Sequence, residues 1–343
     1  MRMNKRVELP LLEPIYKTYH YQAPGTAIAV NNPSVKYWYL SGNVDLTCKR
    51  DFLKGYSSPL LTIMDSAWSN NPHIEKNTVP MHILGGQINS VIKEMLNNGY
   101  YVSFGSVDDY YVEGKSWYKE RHFSHDGLIC GYDNDDKTYC IYAYDKDWIY
   151  QKFWTPQKAF NAGRRAMEEK GEFGNLCAIK MKNSSIGFAP ETACVKLRAY
   201  IDADFKKYPI TGEGFVLGSV VHEYIAYYLE KLYKNRIPYE KIDRRVFRVI
   251  WEQKKAMLGR IEMLEYLLDI KKDYSKKYPA IVKEADVLRM LYASHILKRR
   301  DELLPVIKKR LLEMMKNELE ILSGLTEEVE RELKYEIMEI YKK

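Results

Sequence analysis

The residues best suited to chemistry fall in one stretch, His122–Trp154, where His125 and Asp145 bracket two strand-like runs. Asp126–Tyr132 (DGLICGY) and Tyr139–Tyr144 (YCIYAY) are rich in β-branched and aromatic residues, and Asp133-Asn134-Asp135-Asp136-Lys137 between them favours a tight reversal. With the turn centred on Asp135, Tyr139 faces Gly131, Ala143 faces Gly127 and Asp145 faces His125. Directly opposed residues place their Cβ atoms about 4.5–5.5 Å apart, so the carboxylate can accept a hydrogen bond from one imidazole nitrogen. That contact fixes the tautomer and stabilises the imidazolium, the task of the third member in nucleophile–His–Asp chemistry. Gly127 and Ala143 leave room on the same face for an acyl group; Leu128, Cys130, Cys140 and Tyr142 on the other read as packing. A slip of one residue in register separates the pair, and a plain inter-strand tie is the competing reading.

The elements around this hairpin change texture near residue 155. Before it, Val35–Leu40, Tyr100–Phe104 and Val107–Val112 are strand-like, and Ile83–Asn97 carries Ile88, Val91, Ile92 and Met95 at helical spacing before Asn97-Asn98-Gly99. After Thr155-Pro156, a helix over Gln157–Glu169 and an apolar strand at Asn175–Met181 lead into periodic segments. These are Glu191–Lys207, Gly218–Lys234, Tyr239–Asp269, Pro279–Arg300, Asp301–Ser323 and one from Glu327. The expectation is an α+β chain: an antiparallel sheet domain with helices over residues 1–154, then an all-α helical bundle over 155–343.

Composition narrows the classes. The 343 residues are 46% hydrophobic and 29% charged, enough for substantial cores and unlike a disordered chain. No run of 18 apolar residues occurs and Met1–Pro10 lacks an apolar signal core, so a cytoplasmic protein without a membrane span is expected. Five cysteines, with no Cys-x-x-Cys and no His-x-x-x-His, give neither a disulfide scaffold nor a zinc site. Gly85-Gly86 and Gly212-x-Gly214 lack the Lys-Ser/Thr of a phosphate loop, so no cofactor is expected. Residues 1–154 hold 16 Lys/Arg against 17 Asp/Glu, leaving 37 against 29 for the remainder. This basic excess suits an acidic partner, but it is diffuse and no nucleic-acid module is present, so nucleic acid is not expected.

The run His125-x-Gly-Leu-Ile-x-Gly-Tyr-Asp133, followed by Tyr139-x-Ile-x-x-Tyr-Asp145, resembles the His and Asp strands of papain-like bacterial enzymes over about residues 20–155. The bacteriocin-leader peptidases and the N-terminal domain of butirosin biosynthesis protein H are the families it is similar to. The resemblance implies an acyl or peptidyl transferase, or amide hydrolase, acting on a carrier-protein thioester in peptide natural-product biosynthesis. It implies an acidic carrier protein as partner. It requires a cysteine at the start of an N-terminal helix, where the dipole and backbone N–H groups activate the thiol. The chain departs there: Tyr19–Val30 offers Gln22 as an oxyanion glutamine, then Pro24, Gly25 and Thr26. Cys48 is the one early cysteine and the nucleophile expected with His125 and Asp145, Lys49 and Arg50 being placed to lower its pKa. Thr26 is a weaker candidate. A papain-like scaffold without a nucleophile, binding rather than catalysing, is the alternative.

Other residues carry less. His122 is a pocket or surface residue, Asp108-Asp109 a carboxylate site or a solvated turn, His222-Glu223 structural, and Trp148 and Trp154 packing residues.

Overall fold

The computed structural model describes residues 4–30, 32–50, 60–63, 71–203 and 214–340, with side chains up to 334. The chain divides into two compact units. Unit 1 comprises Met1–Val35 and Asn70–Ile186; unit 2 comprises Lys36–Ser69 and Gly187–Lys343. The division therefore lies elsewhere than at 154/155. The segment after residue 155 first supplies unit 1 with a helix and a further strand, and part of the early chain belongs to unit 2.

Ten strands are numbered in chain order: β1 (Arg6–Glu8), β2 (Leu46–Lys49), β3 (Leu61–Ile63), β4 (Ile74–Pro80), β5 (Tyr101–Asp108), β6 (Ser124–Asp133), β7 (Thr138–Tyr144), β8 (Tyr150–Pro156), β9 (Asn175–Met181) and β10 (Phe215–Leu217). Unit 1 is built on a seven-stranded sheet in the order β4-β9-β5-β6-β7-β8, with β1 on β6. Every pairing is antiparallel. Helices Ile88–Asn97 and Gln157–Glu169 pack on this sheet. Ile88, Ile92 and Leu96, spaced one turn apart, bury the same stripe against Val102, Phe104, Ile129 and Ile141. Removing such side chains from water contributes roughly 1.5–3 kcal/mol each, which is why the 3.6-residue and two-residue periods were readable here.

The β6–β7 hairpin forms as its residue types dictate. Asp133 Oδ1 accepts hydrogen bonds from the amides of Asp135 (2.9 Å) and Asp136 (3.1 Å), closing the turn. Leu128 faces Tyr142 and Ile129 faces Ile141, in the expected register, but a bulge at Cys130 moves Tyr139 opposite Tyr132 instead of Gly131.

Unit 2 holds the three-stranded sheet β10-β2-β3 and helices Pro190–Ile201, Val221–Tyr233, Val246–Leu267, Pro279–Lys298 and Leu303–Ile340. The first of these ends earlier than the expected Lys207; residues 204–213, Gly212 included, lie outside the described residues. Mixed α and β structure with helices gathered at the C-terminus is thus the architecture. Among the described residues no helix is long and apolar enough to cross a membrane.

Candidate functional site

The candidate site of unit 1 lies where β5 ends. Strand β5 is bulged between Phe104 and Val107, opposite the Asp126 region of β6, with Ser106 at φ 53°. A bulge adds one residue to one strand and re-aims the side chains beyond it. Beyond this one lie Asp108, the last residue of β5, and Asp109, which begins a 3₁₀ turn to Tyr111. Helix Gln157–Glu169 clamps this strand end through Gly163: a Cβ there would lie 2.8 Å from the Asp108 carbonyl oxygen and 2.9 Å from Val107 Cγ1. Neither aspartate is a solvated turn residue, for both are buried.

Asp109 is the partner of His125. Its Oδ2 lies 2.7 Å from His125 Nδ1, and its amide donates to the Phe123 carbonyl at 2.9 Å. A buried carboxylate on Nδ1 fixes the proton there and leaves Nε2 as the basic nitrogen. Nε2 has no hydrogen-bond partner among the described residues, and the side chain is 23% exposed. The ring stands edge-on to Phe123 and stacks on His20, with centroids 4.4 Å apart.

His20 forms a second pair. Its Nδ1 lies 2.9 Å from Asp126 Oδ1 and 3.1 Å from the Asp126 carbonyl, and its Nε2 accepts the Tyr144 amide at 3.3 Å. Burial pushes the His20 imidazolium pKa down, only partly offset by Asp126, so His20 is neutral. Burial acts to raise the Asp126 carboxyl, but the hydrogen bond from His20 and the charges around it leave it below its usual range. Beneath the pair sits Lys115, its Nζ 3.5 Å from Asp109 Oδ1. Burial lowers its pKa against the opposing pull of Asp109 and Asp126. Asp108 engages His122 Nδ1 (2.7 Å) and the amides of Phe123 (3.0 Å) and Tyr110 (3.2 Å). Burial would raise this carboxyl too, yet those hydrogen bonds hold it below the usual range.

Donor atoms of His20, His125 and Asp126 lie within 4.8 Å of one another, which raises the question of a metal ion. Both nitrogens of His20 are committed to Asp126 and to the Tyr144 amide, leaving His125 Nε2 and one Asp126 oxygen. Two free donors fall short of the three protein ligands of a catalytic zinc centre, and the adjacent ammonium opposes a cation.

Of the sequence-derived trio, Asp145 is not the hydrogen-bond partner of His125. Asp145 is turned into its own loop: Oδ1 accepts the amides of Asp147 and Ile149 at 2.9 Å each, and Oδ2 accepts Gln151 Nε2. Although the hairpin register points Asp145 towards His125, β7 stops at Tyr144, and Asp145 starts the reversal to β8. Cys48 belongs to unit 2, in the middle strand of the small sheet between Val216 and Leu61. It is 0% exposed, and burial, with Asp243 adding to it, drives its thiol pKa far up. Lys49 and Arg50 do not overcome that desolvation, so the thiol is neutral. None of the hydrogen-bond or ring partners of His125 is a thiol.

Residues His20–Gln22 form a 3₁₀ turn and Pro24–Ala27 a single helical turn, both without a cysteine. Gln22 is buried, and Thr26 Oγ1 accepts the Ile15 amide at 3.2 Å. His20 and Lys115 were not singled out by sequence reasoning. Neither carries a local signal, because each acquires its role through partners distant in the chain. Asp109 had a signal, an acidic pair at a strand end, that the solvated-turn reading outweighed. No protein-family model matches the chain, and no curated protein is significantly similar to it.

Proposed function

We propose that unit 1 is a papain-like module that moves an acyl or peptidyl group by general-base catalysis from His125, held by Asp109, without a covalent Cys48 intermediate. The observation that carries this reading is the 2.7 Å contact from buried Asp109 to His125 Nδ1, which leaves Nε2 as the basic nitrogen of a partly exposed ring. The substrate class is the one the strand motifs suggest: a thioester on an acidic carrier protein, with an amine or water as acceptor. Nε2 takes the proton of the attacking N–H or O–H as the new bond to the acyl carbon forms. The imidazolium then passes that proton to the departing sulfur as the C–S bond breaks. The basic excess after residue 154 suits attraction of the acidic carrier, weakening as salt is raised.

A second reading is favoured by the ring of His20 stacked on His125 and by the absence of a thiol among that ring's partners in the described residues. In it, the papain-like frame has lost its nucleophile and binds without turning over.

Acyl-carrier thioesters presented with amines and followed by mass spectrometry separate these readings. Catalysis by His125 predicts that His125→Asn and Asp109→Asn each cut turnover by about 10²-fold or more, while Cys48→Ala leaves it intact. Loss of turnover in Cys48→Ala reinstates the covalent route. Carrier binding with no turnover in the unsubstituted protein selects the scaffold.

A further inference from the structure

We propose that Lys115 is the positioning residue of the His125–Asp109 pair: a buried cation that anchors Asp109 Oδ1, so that Oδ2 stays on His125 Nδ1 and Nε2 stays the basic nitrogen. The proposal deepens the general-base reading of this site and rests on it for its functional meaning.

The geometry is built for the purpose. The chain leaves Asp109 through the 3₁₀ turn, buries Val112 and reverses at Gly114, which has φ +94°. A side chain at Gly114 would be strained by that backbone and would strike the Phe153 ring, with a Cβ 2.5 Å from Cδ2. Only by this reversal does residue 115 point back beneath residue 109. The Lys115 side chain is 2% exposed, and Nζ has no hydrogen-bond partner among the described residues; its one ion contact there is Asp109 Oδ1 at 3.5 Å. An ammonium stripped of water and given so little in return is costly to bury. A residue kept at that cost does something that Met in the same space would not.

The charges around the imidazole explain what. His125 faces Asp109 from the 3₁₀ turn, Asp126 from its own strand and neutral His20 from the N-terminal turn, and Lys115 bears on it through Asp109. Without the ammonium, Asp109 and Asp126 are two carboxylates beside two imidazoles, and the cheapest neutralisation is a proton on His125. A protonated His125 has no lone pair on Nε2 and is no base. Lys115 thus neutralises Asp109 while repelling the second proton.

The test is ¹⁵N NMR of the histidine rings in the full chain, which reports tautomer and titration without any substrate. In Lys115→Met, the His125 Nδ1 and Nε2 signals should depart from the pattern of a ring protonated at Nδ1 alone, and Lys115→Arg should restore it. A folded Lys115→Met with the His125 tautomer and ring signals unmoved overturns the proposal. Should Lys115→Met not fold, Asp109→Asn in an otherwise unaltered chain supplies the converse reading through the ¹⁵Nζ signal of Lys115. The ammonium should then titrate at lower pH, and an unchanged Lys115 signal overturns the proposal equally. Displaced His125 ring signals without turnover on any thioester defeat the general-base reading alone.

Discussion

Each unit buries a lysine beside a carboxylate and a histidine, and the two settings are opposites. In unit 2, Lys254 Nζ donates to Glu318 Oε2 (2.7 Å) and the Tyr200 hydroxyl (2.9 Å), and lies 3.0 Å from His222 Nε2. The Tyr200 and Tyr278 hydroxyls donate to Glu318, and His222 Nδ1 lies 2.8 Å from the Ser219 carbonyl. All five side chains are essentially inaccessible, and all three ammonium donors are used. In unit 1, Lys115 has one long ion contact among the described residues, and His125 keeps a ring nitrogen free at a partly exposed surface. The same residue types form a closed network where every donor and acceptor is used and leave a ring nitrogen unpartnered where one is not.

The largest effect should come from breaking the closed network. Lys254→Met leaves the Glu318 carboxylate buried without its countercharge, which should cost about 3–5 kcal/mol in urea unfolding of the full chain. Adding Glu318→Leu should recover much of that loss, since a well-packed apolar pair replaces a buried ion pair at little net cost. A single substitution costing less than about 1 kcal/mol would mean that the interior is wet and that the contrast between the units is overstated.

Acid should expose the same contrast by a smaller amount. Burial, then the Lys254 ammonium, hold the His222 pKa at about 4, against the weaker pull of Glu318 and the Ser219 carbonyl. An unfolded histidine takes up its proton near about 6.5. Between these values the unfolded chain binds more protons than the fold, so stability from a neutral His222 is complete above the upper one and lost as pH falls towards the lower. At about 1.36 kcal/mol per pKa unit the window is worth on the order of 3 kcal/mol. Urea midpoints at several pH values should therefore fall with acid, and His222→Gln should flatten the slope within this window. An unchanged slope in His222→Gln would assign the acid sensitivity elsewhere.

The range of each interaction decides how much of this was legible. Periodicity marked the helices Ile88–Asn97 and Gln157–Glu169 and the strand Asn175–Met181, because burial of alternate or every-fourth residues is written locally. Residue types marked the turn at Asp133–Lys137 and the pairing of Leu128 with Tyr142, for the same reason. The bulge at Cys130 was invisible, being a matter of how β6 accommodates neighbours on both sides. The His125 partner was missed because it comes from the other flank of β6. The register sets Val107 opposite His125, and Asp109 reaches the ring from the 3₁₀ turn beyond a bulge in β5 that no turn residue announces. The site's second pair joins residues 20 and 126, a separation at which pattern along one chain carries no information about contact. The division into units failed similarly: residues 36–69 join unit 2 through β2 and β3, whose strand partner β10 lies far along the chain.

The smallest effect decides between the hairpin pairing and the one found. If Asp145 serves its own loop, Asp145→Asn should loosen the reversal between β7 and β8, since the carboxamide nitrogen cannot accept from Ile149, Asp147 or Gln151. Part of the acceptor capacity survives, so a loss of roughly 1 kcal/mol is expected in urea unfolding. The loss should grow smaller as acid protonates Asp145 in the unsubstituted protein. Burial raises this carboxyl, but the three hydrogen bonds outweigh it and hold the pKa below the usual range. A carboxyl depressed in the fold stabilises above its unfolded pKa and forfeits that gain as pH falls through the folded one. The His125 ring signals should meanwhile be unmoved by Asp145→Asn and strongly displaced by Asp109→Asn. A displaced His125 in Asp145→Asn would return the third member of the site to the hairpin, and with it the reading that Asp145 orients the base.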